Sequence, residues 1–82
     1  MSHDEILSEF AQIVQEITGI AAAQVTPEKS FTDDLDVDSL SMVEIATAAE
    51  DKFGITIPDS AIGDLRTVSD AVDYIEKAGV AA

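Results

Sequence analysis

Eighty-two residues, 46% of them hydrophobic, are enough for one small globule, close to the lower size at which a core holds without disulfides or metal. Four basic against seventeen acidic side chains give a formal net charge of −13, which argues against nucleic acid and anionic membrane surfaces and favours basic protein patches as partners. The chain has no cysteine, which removes disulfide and thiolate chemistry. No apolar run approaches the roughly 18 residues of a membrane span, and Met1-Ser2-His3-Asp4-Glu5 lacks the basic start of a signal peptide. A cytoplasmic monomer with no membrane span is therefore the expectation.

Ile6, Leu7, Phe10, Ile13, Val14 and Ile17 recur at steps of three and four, which predicts an amphipathic helix from about Asp4 to about Thr18, ended by Gly19. From Ile20 to Asp38 no period is sustained, and Pro27 with the Asp-rich cluster predicts a long connection carrying one short turn. Val25, Phe31 and Leu35 are the residues expected to pin it to the core. A second helix runs from about Ser39 to Lys52, with Met42, Ile45, Ala46, Ala49 and Phe53 turned inward. Its other face carries Leu40, Val43, Glu44, Thr47, Glu50 and Asp51, a mixture of aliphatics and carboxylates expected of a surface that docks transiently on another protein.

Gly54 is a candidate C-cap, Ile55 and Ile57 alternate into the core, and Pro58 can occupy the first turn of a short helix reaching about Leu65, weakened by Gly63. Thr67-Val68-Ser69-Asp70 fits a capping box, and Val68, Ala71, Val72, Ile75 and Ala78 form the buried stripe of the last helix. Tyr74, one step off that stripe, is expected half-buried with its hydroxyl wet. Residues 78–82 read as a fraying tail. With no repeat or linker, residues 1–82 read as a single all-α domain, a four-helix bundle of three main helices plus one short helix.

Asp38-Ser39-Leu40 stands where the acidic loop turns into the second helix. Either Asp38 or Ser39 can serve as the N-cap. A serine at a helix start also exposes its hydroxyl where backbone amides and the helix dipole favour a phosphate. Catalysis by Ser39 is disfavoured, because the only histidine is His3 at the chain terminus and no glycines flank the serine as in a nucleophile elbow. A covalent event at Ser39 therefore calls for a second enzyme.

Asp34, Asp36 and Asp38 alternate as calcium-loop ligands do. Counting from Asp34, however, the glycine position holds Ser39 and the final glutamate position holds Ile45, so the motif fails and no metal site is expected. Glu50 and Asp51 lie at the end of a helix where acids are unfavourable, offset only by Lys52, which points to a basic partner as the reason for their placement.

Leu35-Asp36-Val37-Asp38-Ser39-Leu40, Val43-Glu44-Ile45, Phe53-Gly54-Ile55, Ile57-Pro58-Asp59, Thr67-Val68 and Asp73-Tyr74-Ile75 together resemble the acyl carrier proteins along essentially the whole chain. The resemblance implies a non-enzymatic four-helix carrier whose serine, here Ser39, is esterified with phosphopantetheine from coenzyme A by a holo-synthase, a phosphopantetheinyl transferase. The resulting thiol carries acyl groups as thioesters. Asp38 matches the motif aspartate that supports the modification, and Leu40, Val43, Glu44, Glu50 and Asp51 occupy partner-docking places.

The usual glycine of the motif is Asp36 here, and the acid after its leucine is Ser41. A freestanding carrier this acidic looks most like the dissociated fatty-acid synthase carriers, docking on basic patches of those enzymes. A polyketide synthase carrier is the alternative, and outside the family a non-covalent acidic interaction domain. Ala46, Ala48, Ala49 and Ala61 are expected to leave room for an acyl chain between the second and third helices.

Overall fold

A computed structural model describes residues 2–79, so only Ala78 and Gly79 of the expected tail fall within it. The first helix, α1 (His3–Thr18), begins one residue before the expected start at Asp4, because Ser2 and Glu5 form a capping box. The Glu5 amide donates to Ser2 Oγ at 3.2 Å and the Ser2 amide donates to the Glu5 carboxylate at 3.1 Å. Ser-x-x-Glu is the sequence signal of that start, which the hydrophobic period alone does not carry. At the other end Gly19 adopts φ 81°, a left-handed cap that a side chain would strain.

Four helices and no strand make up the described residues: α1, α2 (Ser39–Phe53), α3 (Asp59–Ile62) and α4 (Val68–Lys77), with one 3₁₀ turn at Ala22–Gln24. Helix α1 packs against both α2 and α4, and α3 packs against α2. The inward stripe of α2 is Met42, Ile45, Ala46, Ala49 and Phe53, all buried, as the period of three and four requires.

The long connection between α1 and α2 contributes as much to the core as a helix does. Val25, Phe31 and Leu35 are buried, joined by Val37, two positions on from Leu35 and also inside. Phe31 packs edge-on against Phe10 of α1, with ring centroids 6.0 Å apart. The loop's backbone groups find partners at the junction ahead of α4: Phe31 N–H donates to Arg66 O, Val68 N–H to Lys29 O and Ser69 N–H to Pro27 O, all at 2.9–3.0 Å. Within the loop the Ser30 amide donates to Asp34 Oδ2 at 2.8 Å, and Ser30 Oγ accepts from the Asp33 amide at 3.0 Å. Some of the acidic run is thus structural.

Asp36 sits at φ 54°, the one left-handed non-glycine among the described residues. Asp tolerates this region through its short polar side chain, but glycine occupies it without a Cβ penalty. Asp36→Gly is therefore expected to stabilise the fold by about 0.5–1 kcal/mol, read as a higher urea midpoint. A lower midpoint would mean that the carboxylate holds the turn.

Three local expectations are corrected. Helix α3 stops at Ile62 rather than near Leu65, because Gly63 follows and the chain continues in 3₁₀-type bonds, Asp64 N–H to Ala61 O and Leu65 N–H to Ile62 O. Pro58 is the N-cap of α3, one position ahead of its first turn. Ala78 caps α4 and is exposed instead of extending the buried stripe, since the helix ends at Lys77. Tyr74 is half-buried as expected, and its hydroxyl donates to Thr56 O at 3.4 Å.

Candidate attachment site and docking face

The question of which residue caps α2 is decided by Asp38. Its backbone is extended, at φ −84° and ψ 175°, and its Oδ1 accepts from the Ser41 amide at 2.8 Å. Ser39 is thereby released from capping. It becomes the first residue of α2, exposed, with its hydroxyl in no hydrogen bond among the described residues. Such a hydroxyl at a helix start can accept a phosphoester without displacing any contact of the fold, so the residues present fit a phosphopantetheine arm.

The Ser41 amide holds the Asp38 carboxyl below its ordinary value of 3.8. A depressed carboxyl stabilises the fold above that ordinary value and loses its contribution as pH falls through the lower folded value. Asparagine keeps an accepting oxygen at every pH. Wild type is therefore expected to lose more stability than Asp38→Asn as pH drops below about 4, and parallel acid-melting curves for the two would contradict the cap.

Helix α2 presents Leu40, 68% exposed, and Val43, 46% exposed, the two large hydrophobic side chains most open to solvent among the described residues. Glu44 and Asp51 are exposed beside them. Glu50 differs: it is partly buried and its Oε2 accepts from the Ile57 amide at 3.1 Å, fastening the segment after α2. Lys52 does not offset the two acids, because its Nζ pairs with Glu9 Oε2 of α1 at 2.9 Å. Local structure thus accounts for Glu50, whereas Asp51 has no such task.

A cleft of about 740 Å³ opens beside Ser39, with Phe31, Val37, Met42, Val43, Ile62 and Leu65 as its apolar lining and Arg66 among its polar residues. None of the four alanines expected to make this room lines it. Ala46 and Ala49 are buried in the core, while Ala48 and Ala61 pack partly against it. The room lies instead between the loop ahead of α2, the first turns of α2, and the segment from α3 to the start of α4. Met42 and Val43 were legible as helix residues, but a cleft between distant segments leaves no periodic signal.

A small helical bundle with a free serine hydroxyl opening α2 and an apolar cleft beside it has the parts that a covalent carrier domain needs. Residues 8–75 match the family profile described as "Phosphopantetheine attachment site". The chain is 63% identical over 76 residues to an acyl carrier protein of Thermobifida fusca, covering 93% of this chain and 96% of that one. It is 59% identical over 76 residues to the meromycolate extension acyl carrier protein of Mycolicibacterium aurum, covering 93% and 78%. A solved acyl carrier protein from Enterococcus faecalis superimposes with a TM-score of 0.77 at 38% identity, over 95% of this chain and 99% of that one. The chain belongs to the acyl carrier proteins, which are carriers rather than catalysts and bear a covalently attached phosphopantetheine.

Proposed function

We propose that Ser39 is the attachment residue and that the chain, as a single carrier domain over residues 1–82, carries intermediates of fatty acid biosynthesis in the cytoplasm. The observation that carries this reading is the unbonded, exposed hydroxyl of Ser39, freed by the Asp38 cap at the mouth of an apolar cleft. Relatives named for meromycolate extension support acyl-chain building as the pathway. None of the helices among the described residues is long and apolar enough to cross a membrane.

In the attachment step Ser39 Oγ attacks the phosphorus of coenzyme A next to the pantetheine. The phosphoanhydride bond breaks, adenosine bisphosphate leaves, and the hydroxyl proton passes to a base of the transferase, the neighbouring Asp38 carboxylate being engaged by the Ser41 amide. The arm supplies a terminal thiol for thioesters. Asp38 holds the first turn of α2 and so sets where the Ser39 hydroxyl points. The cleft offers apolar surface to a cargo chain, worth about 0.8 kcal/mol for each methylene removed from water. Tethering raises the cargo's effective concentration at any active site on which the domain docks.

Intact mass after incubation with coenzyme A and a broad-specificity phosphopantetheinyl transferase tests the reading: a gain of one phosphopantetheinyl group supports it, and an unchanged mass overturns it.

Docking is assigned to Leu40, Val43, Glu44 and Asp51, with Glu50 contributing at the edge of the face. The partners are the transferase and the basic patches of fatty-acid synthase enzymes, met by a monomer. Charge steering of this kind acts on the encounter rate and fades with salt. Glu44→Lys is expected to lower kcat/KM of the loading reaction roughly tenfold at low salt, with the difference shrinking as salt rises. A ratio near one at every salt concentration would remove Glu44 from the docking face.

A further inference from the structure

Arg66 is the only arginine of a chain with seventeen acidic residues, and it lines the cleft that opens beside Ser39. It is also the only basic residue in that lining, which includes the acidic residues Asp33, Asp38 and Asp59. Among the described residues its guanidinium enters no ion pair; the pairs formed are His3 with Glu76 and Lys52 with Glu9. Asp70 meets the backbone there: its Oδ2 accepts from the amides of Arg66 and Thr67 at 3.2 and 3.3 Å.

The backbone of Arg66 is held on both sides. Its amide is bonded to Asp70, and its carbonyl accepts from the Phe31 amide at 3.0 Å. Arg66 is thus an exposed arginine with a held backbone and a guanidinium in no ion pair among the described residues of a chain of net charge −13. Guanidinium presents a planar fork of donors suited to carboxylate and phosphate oxygens. Any anion brought into this cleft meets repulsion from the surrounding acids, and Arg66 is the one basic side chain of the lining that can offset it.

We infer that Arg66 binds an anionic oxygen group on the arm attached at Ser39, either the phosphodiester near its root or a free carboxylate at the far end of a dicarboxylic cargo. This deepens the assignment of Ser39 and rests on it. The apolar lining then takes the hydrocarbon part of the cargo and Arg66 its charged end, which would distinguish carboxylated from plain acyl thioesters.

The test uses the single arginine as its own probe. Apo protein is loaded with coenzyme A, propionyl-coenzyme A or malonyl-coenzyme A by the transferase, each product is verified by intact mass, and the arginine side-chain Nε–Hε resonance is recorded. A displacement between apo and holo forms assigns the phosphodiester, and one between propionyl and malonyl forms assigns the carboxylate.

In the second case the carboxyl group of carbon-13-labelled malonyl cargo should also titrate at lower pH than in Arg66→Gln, which keeps both backbone bonds of residue 66. An Nε–Hε resonance that stays in place in every mass-verified form overturns the inference and leaves Ser39 standing. Absence of any mass gain overturns the Ser39 assignment first and this inference with it.

Discussion

Alanine at position 39 is expected to abolish loading completely while leaving the fold unchanged. Ser39 is exposed, the cap of α2 is Asp38, and no hydrogen bond of the described residues uses the Ser39 hydroxyl. Removing one oxygen from such a position creates neither a cavity nor an orphaned buried group, so stability should stay within about 0.5 kcal/mol of wild type. The melting temperature should accordingly move by no more than about 4 °C. The chemical effect is all or none, since no other atom at that position can form the phosphoester. Ser41→Ala supplies the comparison: the amide of residue 41 still closes the Asp38 cap, so that variant should still load. A mass gain in Ser39→Ala would move the attachment to another hydroxyl and end the assignment.

Phe31→Ala should be the most damaging substitution in the long connection, at about 3–5 kcal/mol. Its ring is 1% exposed and packs edge-on against Phe10, so truncation opens a cavity between the loop and α1. Relaxation is restricted because the Phe31 backbone is tied twice, donating to Arg66 O at 3.0 Å and accepting from the Val37 amide at 2.7 Å. A domain of this size has about 4–12 kcal/mol in total, so the variant should lie near its unfolding midpoint or well short of wild-type stability. In urea the midpoint should fall by roughly 2 M or more. A fall of less than about 0.5 M would show that the loop is not part of the cooperative core. Function should follow stability, because Val37, Asp38 and Ser39 come directly after the anchored segment.

How much of this was readable in advance differs by element. The faces of α1, α2 and α4 follow from residues three and four apart, a purely local geometry, and the buried residues of α2 are those its period names. The same locality explains the errors. Near α3 the period is too short to count, so its end at Ile62 was overrun, and Ala78 continued a pattern past the last turn of α4. Glu50 looked idle for local stability because its partner, the Ile57 amide, lies beyond the helix end.

By itself the chain of residues determined the helical class, the acidic surface, the helix faces and the candidacy of Asp38 and Ser39, because composition and short-range spacing act without knowledge of distant partners. Only the folded molecule decided that Asp38 caps and Ser39 is left free, that Lys52 belongs to Glu9, and that Phe31 fastens the loop between α1 and the start of α4. It also decided that the cleft beside Ser39 is formed by Val37, Met42, Ile62 and Leu65, with Arg66 in its lining. Each of these joins groups far apart along the backbone, and such contacts exist only once the intervening chain has closed.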